Sequence, residues 1–122
     1  MKAFTAALIL LALILTGIAV NYIYINKTAD AMHERLDALS DIGDEACVAE
    51  AAELLLFWED HADTVGLSVN FVILDRVSEQ ARTLLTCAEA KDLYGFAVAR
   101  SLLRDAVEDM RRLEGFGIGN LL

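Results

Sequence analysis

Proline is absent from this 122-residue chain, and histidine, cysteine and tryptophan are scarce at two, two and one. No Pro/Gly/Ser-rich linker divides the chain, and it carries no low-complexity tract or internal repeat. Two histidines, His33 and His61, with no Ser or Cys nucleophile placed in a strained turn, do not make a catalytic triad. His61 stands among Glu59, Asp60 and Asp63, but residues adjacent on a helix do not converge on one ion. The Glu-x-x-His pattern of di-iron bundles is also missing, with Trp58 where the carboxylate should be. His33 has Asp30 three residues before it but no second copy of that pattern, so both histidines are expected on solvated polar faces. Gly115, Gly117 and Gly119 alternate without a preceding strand or a following helix, which excludes a phosphate loop. The sequence thus nominates no catalytic residue, metal ligand, cofactor or small-molecule substrate.

Charge is missing altogether from residues 3–25, AFTAALILLALILTGIAVNYIYI. As a helix this run would be about 34 Å long, enough for a hydrocarbon core of about 30 Å, and lipid forces its backbone to bond within itself. Met1-Lys2 and the small residues around Gly17-Ile18-Ala19 also fit a cleaved signal. The apolar run continues past that point to Ile25, and Tyr22 and Tyr24 suit an interfacial belt, which favours a retained anchor. Neither cysteine lies near this segment, so a lipoprotein is excluded. Lys2 on one side and Lys27 with Arg35 on the other leave the positive-inside bias nearly balanced. The short N-terminal tail is most simply held inside, giving a single-pass protein of the cell membrane with its bulk outside the cytoplasm.

Residues 1–27 form the expected anchor and residues 28–122 one small domain. Without Lys2 and Lys27 the remaining 95 residues set 8 Lys and Arg against 19 Asp and Glu, a net charge of −11. That balance is expected to repel nucleic acid and anionic lipid headgroups.

Nothing separates residues 26–41 from the anchor, so one continuous rod is expected, with Met32, Leu36 and Leu39 as a narrow apolar stripe. Gly43 can end that helix and Asp44 cap the next. Cys47, Ala51, Leu54, Leu55, Trp58, Ala62 and Val65 then share one helical face, and Gly66 stops the run. A second face holds Phe71, Leu74, Val77, Ala81, Leu84, Leu85 and Ala88, and a break follows near Asp92. A third holds Phe96, Ala99, Leu103, Ala106, Val107, Met110 and Leu113, ending at Gly115. Three helices of about 22, 20 and 22 residues with short connections imply antiparallel neighbours. The expected fold is all-α: an N-terminal transmembrane helix followed by an antiparallel bundle of three helices, or four if the post-membrane segment joins.

Cys47 and Cys87 lie equally far from Leu67, the centre of the predicted turn, so a helical hairpin sets them level. They are either a disulfide clamping the hairpin or two small buried thiols. Phe57 points off the main stripe toward the post-membrane helix or a partner, and Trp58 is a core residue or half of a binding platform. Arg104 suits pairing with Glu108 and Asp105 on its own helix, and Arg100 lies near the seam between Phe96 and Leu103. The apolar end of the chain, with Phe116, Ile118, Leu121 and Leu122, is expected to fold back on the bundle or meet a partner.

Asn21, Tyr22 and Asn26 at the end of the apolar run, Leu55 and Trp58 on one helix, and the terminus Phe116-Gly117-Ile118-Gly119-Asn120-Leu121-Leu122 resemble the domain of unknown function 4363 family. The likeness covers most of the chain, and its members are short bacterial proteins of spore-forming lineages. It implies an all-helical, membrane-tethered bacterial protein and assigns no activity. Members encoded beside small multi-pass membrane proteins add the implication of a membrane-protein partner. A tether, an apolar tail and a spare aromatic, without residues for chemistry, lead to the expectation of a non-enzymatic interaction module. An extracytoplasmic sensor or ligand-binding domain is the alternative.

Overall fold

A computed structural model of the chain describes residues 1–67 and 69–121, with side chains up to Arg112. Four helices account for nearly all of it, and no strand occurs among the described residues. The first, α1 (Lys2–Asp37), is one rod of 36 residues, about 54 Å long. Its N-terminal part is bare: the most apolar 18-residue window, long and apolar enough to cross a membrane, buries nothing against the rest of the chain. The C-terminal part is the opposite, with Ile25, Ala29, Met32 and Leu36 fully buried along one face. Ile25 therefore belongs to the bundle core, although its sequence context groups it with the anchor. The rod ends at Asp37 rather than near Asp41. Gly43 lies inside the connector, at φ 104°, where a side chain would be strained.

Asp44 opens α2 (Glu45–Val65) as expected, its Oδ1 accepting from the Ala46 amide at 3.0 Å. Glu50 ties the connector down by accepting from the Ser40 amide at 3.2 Å. The predicted stripe is inward: Cys47, Ala51, Leu54, Trp58 and Val65 are buried, with Leu55 and Ala62 half-buried beside them. Gly66 ends the helix as anticipated. Asn70, a cap that the sequence reading missed, starts α3 (Phe71–Ala90) by accepting from the Val72 amide at 2.8 Å.

In α3 the buried face is Ile73, Val77, Ala81, Leu84 and Ala88. Phe71 is a correction, being 71% exposed. It precedes Ile73 by two residues, about 200° around the helix, so once Ile73 turns inward Phe71 must turn out. Lys91 reverses the chain in the left-handed region at φ 56°, and Asp92 caps α4 (Leu93–Leu121), accepting from the Gly95 amide at 3.0 Å. A side chain at Gly95 would meet Asp92 Oδ2 at 2.5 Å and Cys87 Sγ at 2.8 Å, which explains the glycine at this close turn. Phe96, Ala99, Leu103, Ala106, Val107 and Met110 are buried as their spacing predicts. The expected stop at Gly115 is also corrected, since α4 runs on to Leu121. The glycines at 115, 117 and 119 each weaken a helix by about 1 kcal/mol relative to alanine but keep its backbone hydrogen bonds, and no proline follows to break it. The predicted fold-back of Phe116, Ile118, Leu121 and Leu122, like the placement of Leu113, lies outside the described side chains.

Each helix packs on its two neighbours, α1 on α2, α2 on α3, α3 on α4 and α4 back on α1. The bundle is thus closed to four by the C-terminal part of α1. Met32 and Leu36, fully buried, each contribute about 1.5–3 kcal/mol of apolar transfer to that closure.

Candidate functional site

Three rungs of charge lie between α1 and α4. Asp37 accepts from Arg104 Nη2 at 2.6 Å, His33 Nε2 donates to Glu108 Oε2 at 2.9 Å, and Asp30 pairs with Arg111. Each rung steps one turn down α1 and one turn up α4, so the register is that of two straight antiparallel helices. Arg104 reaches across to α1 and not along its own helix, and His33 is half-buried and hydrogen-bonded to Glu108 rather than merely solvated; both correct the sequence reading. The Asp37–Arg104 pair is exposed, and such pairs contribute only about 0–1 kcal/mol. Their order specifies more than their strength does. Sliding α4 by one rung would set Glu108 against Asp30 or Asp37, and an arginine against His33. The spacing of Asp30, His33 and Asp37 on one helix and of Arg104, Glu108 and Arg111 on another is the signal that could have revealed this seam. A further exposed pair, Arg76–Asp109 at 3.5 Å, links α3 to α4.

On the α1–α2 side an aromatic cluster takes the place of charge. Phe57 is half-buried, its ring 4.2 Å from His61 between centroids and 4.6 Å below the Arg35 guanidinium carbon. It faces the C-terminal part of α1, one of the two directions its position allowed. His61 Nδ1 donates to the Phe57 carbonyl at 2.7 Å, and its ring lies 5.9 Å from Tyr24. Tyr24 is therefore half-buried against the bundle, while Tyr22 stays at the surface. Trp58 is withdrawn from the candidate partner contacts: it is fully buried, with its indole N–H donating to Ser78 Oγ at 2.8 Å. Its position on the main stripe carries it between α2 and α3.

Both cysteines are free, which corrects the candidate disulfide. Cys47 is buried in the core, whereas Cys87 turns toward α4, where Gly95 leaves room for its sulfur. Burial pushes the Cys47 thiol above its ordinary value; Glu50, Asp44 and Asp41 push the same way, against Arg100. Arg100 also lines an open cavity of about 400 Å³ at the end of the bundle away from the apolar run, with Asp41, Ile42, Phe96, Ser101 and Arg104. Among the described residues, no three of His, Cys, Asp and Glu group closely enough to hold a metal ion.

Among the described residues of the bundle, two groups of apolar side chains stay uncovered, besides Leu56. Tyr94, Val98 and Leu102 line the outer side of α4 at steps of four residues, and Tyr94 is 81% exposed. They fall off the core stripe in sequence and were passed over for that reason. Leu67, Phe71 and Val72 are exposed at the α2–α3 turn. No family model, curated protein or solved structure matches this chain.

Proposed function

We propose that this protein is a non-enzymatic, membrane-anchored interaction module: residues 3–22 cross a bilayer, and the helical domain assembles with another membrane or envelope protein. The observation that carries the reading is the exposed row Tyr94, Val98 and Leu102 on α4, an apolar strip on an otherwise acidic domain. Strips of this kind on soluble surfaces commonly mark contact sites. The bare N-terminal half of α1 supports the tether, and the likeness to the domain of unknown function 4363 family belongs to the same reading, with a bacterial cell membrane and an extracytoplasmic domain. Photocrosslinking in native membranes tests it, with the reactive group at Val98 or, as the control, at Glu79 on α3. A discrete crosslinked neighbour from Val98 alone is the expected result, and monomer from both positions contradicts it. Protease protection tests the orientation: the domain should be digested from outside intact cells and protected in inverted vesicles.

A second reading, an extracytoplasmic sensor, is favoured by the cavity holding Arg100, Ser101 and Arg104. Two guanidinium groups beside a serine suit a small anion, although Asp37 already engages Arg104. Thermal-shift screening with carboxylates, phosphates and metal ions distinguishes the readings, since a module that works by contact alone shows no stabilising ligand.

A further inference from the structure

The α2–α3 turn is uncharged from 64 to 74, between Asp63 and Asp75, in a domain whose net charge is −11. It also displays its apolar side chains instead of burying them: Leu67 is 82% exposed, Phe71 71% and Val72 60%. Its height relative to α1 follows from two contacts. His61 stands beside Tyr24, and α2 descends antiparallel to α1, so Leu67, six residues further on, comes about level with Ile18. Thr64 and Leu67 indeed line a groove of about 660 Å³ whose other wall is Gly17, Ile18 and Asn21 of α1. Phe71 is no higher, because Leu74, one turn later, already lies opposite Gly66. Filling a hydrocarbon core of about 30 Å from Ala3 takes about 20 residues and ends near Tyr22. Ile18 is then about 6 Å inside the boundary.

We infer that the α2–α3 turn is a second membrane contact, in which Leu67, Phe71 and Val72 dip into the headgroup–acyl boundary of the bilayer that α1 spans. The inference rests on α1 being membrane-spanning, and the occupant follows from it. A bilayer placed around residues 3–22 of a rigid rod already reaches the level of this turn, so lipid meets these side chains before any other partner does. The absence of charge over 64–74 spares the turn the desolvation that would keep the rest of this acidic domain out. Two attachment points, the rod and the turn, also fix the rotation of the domain about the membrane normal, so the strip on α4 faces a constant direction along the bilayer. α4, uncharged after Glu114, runs toward the same end.

Depth-dependent quenching by brominated phosphatidylcholine tests this in vesicles of that lipid holding the full chain. Tryptophan is added one position at a time as Phe71→Trp, Leu13→Trp or Tyr94→Trp, with the unchanged protein giving the Trp58 background. Circular dichroism checks that each variant keeps the helical content of the parent. The added Trp at 71 is expected to lose most of its fluorescence to bromine placed near the headgroups and less to bromine near the bilayer centre. At position 13 deep bromine should quench best, and at 94 neither. Quenching at 13 with none at 71 overturns the turn contact and leaves the spanning helix standing. No quenching at 13 removes the spanning helix and the turn contact with it. Blue-shifted but unquenched emission at 71 assigns the patch to protein, a second copy included, and overturns the lipid assignment. If Phe71→Trp fails to fold, Val72→Trp, on the same first turn of α3, serves as the reporter with the same outcomes.

Discussion

Ile25 marks the point at which α1 turns from bare rod into bundle core, and Ile23, two residues earlier, supplies the contrast. Ile25 is fully buried while Ile23 is 52% exposed. Replacing a buried isoleucine by alanine removes its transfer free energy and leaves a cavity, together costing about 2–5 kcal/mol. The same change at an exposed site costs about 0.5 kcal/mol or less. For a domain of this size each kcal/mol moves the unfolding temperature by about 4–8 °C, so Ile25→Ala should lower Tm by about 10 °C or more and Ile23→Ala by only a few degrees. Thermal unfolding of the full chain in a mild non-ionic detergent, followed by the fluorescence of Trp58, reads both variants with a single buried reporter. Equal shifts at the two positions would refute the placement of Ile25 in the core and would return it to the bare apolar run from which composition alone cannot separate it.

The α1–α4 seam predicts a charge-swap rescue. Asp37→Arg should cost about 0.5–1 kcal/mol by setting two arginines together, and adding Arg104→Asp should restore most of it in urea unfolding; a double variant no better than the single one refutes the register. Ser78→Ala should destabilise by about 1–3 kcal/mol, because the buried Trp58 indole N–H loses its acceptor; unchanged stability with unchanged Trp58 emission contradicts that bond. Cys47 has its thiol pKa raised in the fold, so its stabilising contribution is complete below the ordinary thiol range of about 8.5 and is lost as pH rises through the raised value. Cys47→Ala should therefore flatten the alkaline decline in stability, and mass spectrometry should find Cys87 alkylated well before Cys47.

Periodicity made the bundle legible. Five of the seven residues assigned to the α2 stripe are fully buried because a long amphipathic helix has few other ways to shed apolar surface. Asp44 and Asp92 were readable as caps for an equally local reason: a carboxylate next to a helix start satisfies amides that would otherwise lack partners. What stayed hidden depends on pairs distant in sequence. Asp30 and Arg111 are 81 residues apart, and their matching spacings become a signal only once α1 and α4 are known to lie side by side. Phe71 was misread because its stripe and that of Ile73 are both apolar, and only packing chooses between them. The α2–α3 turn presented the same ambiguity: an uncharged run reads as core until the fold leaves it exposed. Equal distance from the turn suggested a bridge between the two cysteines, but the facing angle that decides one is not encoded in spacing, and both are free.

The proposed tether requires one unbroken helix that carries the chain from a bilayer into the core of an acidic bundle. A spin-label scan over residues 14–36 of the reconstituted full chain, recording collision with oxygen and with a water-soluble nickel complex, tests it most directly. Oxygen contact is expected around the helix up to about Val20, weaker at half-buried Ile18, and beyond it a helical period in which 25, 29, 32 and 36 are shielded from both reagents while 30 and 34 meet the nickel complex. A loss of periodicity between 20 and 28, or nickel contact at 25, 29 and 32, would contradict it.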